Sequence, residues 1–500
     1  MNPSRRALLA GLASSGLLAL PRPGRAGAPA KPLNILVISS DEHNPDFFSH
    51  LGHQVSTPNL DRLRADSMSL ERVYTSTPIC APTRASFLTS TWPQQHGQIN
   101  NSKALDSSLP TMAGFFSDQG YETVCYGKLH TNTDEGLYTF GFDDLLNWEC
   151  GTRWDDIHSG YRKESTPTSS YDSVDAALYD AMPDTRMKGR VLGHAGQHWD
   201  YTLVGEAKKY LAQDHAQPFL LYVSFINPHY PFSLPGDFYY QYDRDTVTLP
   251  STDHTTAEAI SAGAAKSLAT HGWGDLTDAQ QKMQLARYMG CVSFLDWMVG
   301  ELLDALELAG LADDTLVVYL SDHGDMAASK GLWLKSLMYE GVTRKPMYLR
   351  LPGVTEPGSS FTDPVNEVDI LPTLAGMVGL GAKLPREQIS GRDLSQPILH
   401  SALGGDPLMA AAGLGIERQH TAFSHLNYND AEPWMTMVVA QDLKYIRYYD
   451  GDLGGVYDRE LYDLGDDPNE DNSLADDPAA NDLMDEMDAL IDEHLASLAA

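Results

Sequence analysis

Hydrophobic and polar positions along the chain fall into short apolar runs alternating with segments of helical period. Leu33 to Ser39 (L-N-I-L-V-I-S) is a continuous, β-branched run of the kind found in a strand buried on both faces. Thr57-Pro58 then opens a helix through Arg64, with proline pre-set for the first helical position. A second helix follows Pro82 and another runs from Leu109 to Gln119. Tyr121 to Tyr126 reads as strand, Asp200 to Gln213 as helix and Pro218 to Phe225 as strand. Helical periodicity persists from Ala279 to Ala309, and Thr315 to Leu320 (T-L-V-V-Y-L) is again a buried strand. This alternation predicts an α/β fold whose large mixed, mostly parallel sheet is covered by helices on both faces.

The pattern changes near Ser390. Thr421 to Tyr428, Trp434 to Ala440, Leu443 to Tyr449 and Glu460 to Leu464 are short strand signals separated by Asn/Asp/Gly turns, followed by an acidic helix from Ala479 to Leu498. The expected organisation is an α/β domain over 31–389 and a smaller C-terminal α+β domain with an antiparallel sheet over 390–500. The stretch 147–198 has weak periodicity and many Gly, Ser and Asp, as expected of a long irregular insertion near a site.

Charge narrows the choice of partners. Thirty-five Lys+Arg against 68 Asp+Glu give a net charge of −33, which repels phosphate backbones and anionic membranes at long range. Nucleic acid is therefore not an expected partner, and any anionic substrate must meet a local positive site. Four cysteines, Cys80, Cys125, Cys150 and Cys291, are too few for a disulfide framework, although Cys125 and Cys150 could pair after export. Residues 1–30 read as an export signal, with Arg5 and Arg6, an apolar stretch from Ala7 to Leu20, and small residues at Ala26, Ala28 and Ala30. The paired arginines point to the twin-arginine translocase and a periplasmic or secreted chain starting near Ala28 to Lys31. The apolar stretch is shorter than the roughly 20 residues of a membrane span, so no stable anchor is expected. Replacing both arginines by lysine should leave the protein in the cytoplasm; unchanged export would refute this routing.

Ligands in open α/β sheets gather beyond the C-terminal ends of the strands. The first strand ends in S-D-E-H, giving Asp41 and Glu42, and the Thr315 strand ends in S-D-H-G-D, giving Asp322 and His323. Carboxylate oxygens with one imidazole suit a hard divalent cation, and two converging strands can supply them without any local spacing motif. Between them lies C-A-P-T-R, with Cys80 beside a proline-started helix and Arg84 about one turn in. A helix N-terminus stabilises developing negative charge, and arginine adds bidentate donors for a tetrahedral oxyanion, which makes Cys80 a candidate nucleophile position.

C-A-P-T-R resembles the C-x-P-x-R signature of the type I sulfatases of the alkaline phosphatase-like superfamily, and its continuation A-S-F-L-T-S-T-W-P-Q-Q-H-G resembles that family's extension. Further segments recur in family order: S-D-E at Asp41, T-P-N-L-D-R-L from Thr57, G-K-L-H at Lys128 and His130, N-P-H-Y-P at His229, S-D-H-G-D, and L-W-L-K-S-L-M-Y-E at Lys335. The likeness spans roughly Leu33 to Gly353. A-P-T-R-A-S-F, G-K-L-H and S-D-H-G-D followed by G-L-W-L-K resemble the choline-sulfatase-like branch more than the lysosomal arylsulfatases.

The resemblance implies a sulfuric ester hydrolase in which a separate maturation enzyme converts Cys80 to formylglycine. The aldehyde would hydrate to a geminal diol on the metal, one hydroxyl would attack sulfur, and deprotonation of the other by His130 would expel sulfate. Asp41, Asp322 and His323, with Cys80 and Glu42, would hold the ion, expected to be calcium, with manganese or magnesium as alternatives. Arg84 and Lys128 would clamp oxyanions, and His229 and Lys335 would bind sulfate and protonate the leaving oxygen. Two positions depart from the commoner family pattern: Glu42 stands where many members have Asp, and His323 where many have Asn. A phosphonate monoester or phosphodiester hydrolase with the same site is the alternative activity, and a silent binding protein for sulfated ligands is the non-enzymatic one.

Overall fold

A computed structural model describes residues 32–130, 140–146, 191–250, 260–271, 276–402, 421–426, 435–449 and 455–498, with isolated positions 178 and 189. The export signal, most of the 147–198 insertion and Cys150 lie outside the described residues.

The main sheet contains β1 (Asn34–Asp41), β2 (Met68–Leu70), β3 (Glu122–Gly127), β4 (Asp144–Leu146), β5 (Phe219–Pro228), β6 (Thr315–Ser321), β7 (Met347–Arg350) and β8 (Ser360–Phe361). Their spatial order is β8-β2-β7-β6-β1-β5-β3-β4. The block β6-β1-β5-β3-β4 is parallel throughout, while β7 runs antiparallel to both β6 and β2. The sheet is mixed and mostly parallel, as the alternating apolar runs predict.

Period-two alternation divides each central strand between two cores. Leu36 and Ile38 of β1, with Leu221 and Val223 of β5, pack against α1 (Pro58–Ala65), α4 (Trp199–Leu211) and α5 (Asp278–Leu308). Ile35 and Val37, with Leu220, Leu316 and Val318, face the opposite way onto α2 (Cys80–Thr89), α3 (Met112–Asp118) and α6 (Ile370–Met377). Burial on both faces explains why these strands read as unbroken apolar runs.

Helix α2 begins at Cys80, two residues before the proline expected to precede it. Pro82 occupies the third helical position, where the absent N–H would have had no intrahelical acceptor anyway, so the helix accommodates it in its first turn. Every residue of α2 is buried, which fixes Cys80 and Arg84 against the sheet.

The C-terminal sheet contains β9 (Thr421–Leu426), β10 (Met435–Ala440), β11 (Leu443–Tyr449) and β12 (Val456–Asp463), antiparallel in sequence order. One face, with Phe423, Val438, Tyr445 and Leu461, receives Met487 and Ile491 of α7 (Asn481–Leu498). The other face, with Ala422, Met437, Val439 and Ile446, packs on Ile79, Leu337, Met338 and Tyr339. The C-terminal sheet is thus built against the chain just before Cys80 and just after Lys335.

Candidate active site

Four strand ends aim their following residues at the N-terminus of α2. On β1 the ladder to β5 slips between Ser39 and Asp41, so that Asp41 lies opposite Pro228, and Glu42 turns away with a φ of 68°. β6 delivers Asp322 and His323, β3 delivers Lys128 and His130, and β5 delivers His229. Gly127 is required at the end of β3, because a Cβ there would lie 1.9 Å from the Ser224 carbonyl oxygen, and that approach lets Lys128 N–H reach the same oxygen at 2.9 Å. Gly324 plays the corresponding part after His323: its N–H reaches the Val342 carbonyl at 2.8 Å, and a Cβ would strike the Gly341 oxygen.

Cys80 is at the centre of the cluster. Its Sγ lies 3.2 Å from His323 Nε2, 3.6 Å from Asp41 Oδ1 and 2.8 Å from Lys335 Nζ, with His130 and His229 also within its hydrogen-bonding reach. Arg84 lies beneath it with each branch of the guanidinium engaged. Nε donates to Asp322 at 2.9 Å, Nη2 to Asp41 at 3.1 Å, and Nη1 to the Lys128 carbonyl at 2.9 Å and Ser224 Oγ at 2.8 Å. Lys128 Nζ donates to the same Asp41 oxygen as Arg84, which leaves Asp41 Oδ1 turned towards Cys80 and His323. His323 Nδ1 is 2.8 Å from the Gly324 carbonyl, a contact that places the ring proton there and presents Nε2 to the cluster.

The electrostatics follow from burying so many charges together. Burial and the neighbouring Cys80 push Asp41 up, but Lys128, His229 and Arg84 outweigh them and hold its carboxyl well below the usual range. Burial likewise opposes ionisation of Cys80, yet Lys128, Lys335 and His323 draw the thiol well below its ordinary value. Glu42 goes the other way: burial raises it well above the carboxylate range despite Lys335 nearby. Asp322 offsets burial and lifts His323 to about 9.

All ten residues read from the sequence as catalytic or metal-binding are brought to one place by this arrangement. A family profile described as Sulfatase matches residues 33–380, and a second, described as N-sulphoglucosamine sulphohydrolase, C-terminal, matches 328–497. The chain belongs to the sulfatase family. Its sulfatase relatives include a choline-sulfatase from Rhizobium meliloti, 27% identical over 89% of this chain and 83% of that protein, and an arylsulfatase from Clostridium perfringens, 26% identical over 72% and 78%. The fold is also that of the phosphonate monoester hydrolase of Agrobacterium radiobacter, with TM-score 0.74 and 22% identity over 93% of this chain and 95% of that one.

Sulfatase membership implies a divalent ion, and the donor set fits one. One ligand atom each from Asp41, Cys80, Asp322 and His323 lies within 4.8 Å of the others, all four residues buried. Glu42 stands apart from that tetrad, grouping instead with Asp41 and His229. Its carboxylate oxygens make no hydrogen bond and lie 3.4 Å from His229 Nε2 and 3.5 Å from Lys335 Nζ.

Several supporting residues have no local sequence signature. Ser224 holds Arg84, and Asn101 Oδ1 accepts the Ala81 N–H at 3.1 Å beside the nucleophile position. Thr83, on α2, donates to Glu367, whose carboxylate is paired with the buried Lys345. The one available signal for Ser224 is its place near the C-terminal end of a buried strand, where polar residues are exceptional.

Proposed function

We propose that this sulfatase hydrolyses sulfate monoesters to an alcohol and inorganic sulfate, using residue 80 as formylglycine. The observation that carries the reading is the burial of Cys80 between a metal-ligating set, Asp41, Asp322 and His323, and a basic set, Arg84, Lys128, His229 and Lys335. Asp41, Asp322 and His323 would hold the divalent ion, which when bound supplies positive charge against the sulfuryl oxygens and activates the residue-80 nucleophile; the carboxylates suit calcium, whereas the His323 nitrogen suits manganese or zinc better.

The chain's own groups account for the rest. Arg84 locks Asp41 and Asp322 in place, so these two carboxylates need no reorganisation during turnover. Lys128 and Lys335 flank residue 80 and neutralise sulfuryl oxygens. His229 Nδ1 is hydrogen-bonded to the Tyr230 carbonyl, which turns Nε2 inward, near Lys335; both groups can bind the ester, and the leaving oxygen takes its proton from the Lys335 ammonium or from His229 when Nε2 is protonated as well. His130, within reach of residue 80, takes the proton whose removal releases sulfate.

Mass spectrometry of the peptide containing residue 80, run beside turnover of an aryl sulfate and of phenylphosphonate, tests this reading. Active enzyme should show sulfur replaced by oxygen with loss of two hydrogens, faster turnover of the sulfate, and no hydrolysis by Cys80→Ala. An unmodified thiol in active protein would refute the chemistry, and dominance of phosphonate turnover would replace the substrate class.

A further inference from the structure

The segment carrying Lys335 is held in a conformation that its sequence resists. Ala327, Ala328, Lys330, Leu334 and Ser336 have φ values of 44°, 71°, 52°, 67° and 72°. None is glycine, and left-handed backbone is costly for each of them. Both immediate neighbours of Lys335 are in the set. Five such residues within ten positions persist only where the surroundings over-determine the chain.

Part of the constraint is internal. Asp325 accepts the Ala327 N–H at 2.6 Å, Met326 N–H reaches the Leu334 carbonyl at 2.9 Å, and Ser336 N–H reaches the Pro78 carbonyl at 3.1 Å, just ahead of Cys80. A further constraint comes from one residue beyond β12. Glu470 is buried and has a φ of 58°. Its carbonyl accepts Lys330 Nζ at 2.6 Å, with Asp471 adding a contact at 3.1 Å, and its Oε2 accepts the Glu340 N–H at 2.6 Å. Its other oxygen pairs with Lys444 at 2.7 Å, which also reaches Glu340 at 3.1 Å. Glu470 therefore grips the chain five residues before Lys335 and five residues after it.

We infer that Glu470 is a positioning residue for Lys335, through which the C-terminal region sets how closely that ammonium approaches the leaving group. The inference rests on the proposed role of Lys335 at the sulfuryl and leaving oxygens. Without the grip, the strained segment relaxes and Lys335 Nζ withdraws from residue 80, now 2.8 Å away. Proton donation matters most where the departing alkoxide is basic, so the loss falls on alkyl sulfates more than on nitrophenyl sulfate.

Glu470→Ala and the milder Lys330→Met, prepared as full-length mature protein, are compared with wild type on one alkyl sulfate and on nitrophenyl sulfate. Residue-80 conversion is first quantified by mass spectrometry, so that rates refer to converted enzyme. With either variant, kcat/KM for the alkyl ester should fall about tenfold or more while the nitrophenyl ester loses only a few-fold. Lys335→Ala should show the same skew, and adding Glu470→Ala to it should change the ratio no further, because residues acting through one group are not additive. Both Glu470 variants keep the backbone carbonyl for Lys330, and Glu470→Gln also keeps the side-chain acceptor for Glu340 N–H that Glu470→Ala removes, so it should retain the wild-type ratio. Equal loss on both esters, or full additivity with Lys335→Ala, overturns the inference while leaving the function intact. A converted wild type inert towards both esters sinks the reading of the site itself, and the inference with it.

Discussion

Arg84 is 2% exposed, and its partners lie at the ends of four different strands, so its planar fork does work that charge alone cannot. Lysine at this position keeps the positive charge but can span neither the two carboxylates nor the Lys128 carbonyl. Arg84→Lys is therefore expected to lower kcat/KM about a hundredfold at saturating metal, and Arg84→Met to cost about 3–5 kcal/mol of stability by leaving Asp41 and Asp322 buried without it. Urea denaturation and steady-state kinetics check the two halves, and wild-type stability in Arg84→Met would show that Lys128 suffices. The residues that touch the reacting atoms are the legible ones: C-A-P-T-R, S-D-E and S-D-H-G-D each pair a distinctive residue with a strand end or helix start, and L-W-L-K, in an irregular segment, is legible through its family resemblance. Ser224, Glu367 and Glu470 are not legible in the same way. Each acts through a contact with chain far away in sequence, and no spacing encodes that.

Helix α1 shows how one element completes another. Its own N-cap residue, Thr57, makes no capping hydrogen bond; the cap comes from α5, where Asp296 accepts the Leu60 N–H at 2.7 Å and Asn59 Nδ2 at 2.9 Å. Burial pushes the Asp296 carboxyl up to about 6, against the pull of those hydrogen bonds. The folded chain thus keeps this proton in a range, about pH 4 to 6, where the unfolded chain has already lost it, so the contribution of Asp296 to stability falls as pH rises through that window. Asp296→Asn removes the titration while retaining an acceptor for Leu60. Its stability relative to wild type should climb by on the order of 2–3 kcal/mol between about pH 4 and pH 7, measured by urea denaturation at each pH, and a pH-independent difference would reject the assignment. Elements of several turns or buried runs, such as β1, β6 and α5, are legible because period and apolar content agree. β2 and β8 escape because two or three residues carry no period. β12 begins at Val456, four residues before its apolar portion, since Asp458 and Arg459 leave that end of the strand without an apolar pattern.

At the scale of the whole molecule, the net charge of −33 acts on any approaching ester before the site does. Arg84 and Lys128 are matched at close range by Asp41 and Asp322, and the buried positive charge left over, on Lys335 and any bound ion, acts on a sulfate group at contact and is small beside the charge of the whole chain. The long-range potential is then that of the acidic chain, reaching about 30 Å at roughly 0.01 M salt and about 8 Å at roughly 0.15 M. An aryl sulfate, a net anion, must climb that potential, whereas a zwitterionic ester with a quaternary ammonium on its alcohol carries no net charge and does not. Raising salt across this interval at saturating metal should lower KM for the aryl sulfate about threefold or more, leave its kcat unchanged and leave KM for the zwitterion nearly constant. A KM for the anion that rises with salt would mean that the buried cations project beyond their carboxylate partners and dominate the approach. If the expected pattern holds, repulsion by the surface itself discriminates between esters of the same sulfate group, favouring an alcohol that brings its own positive charge and penalising polyanionic substrates most where salt is low.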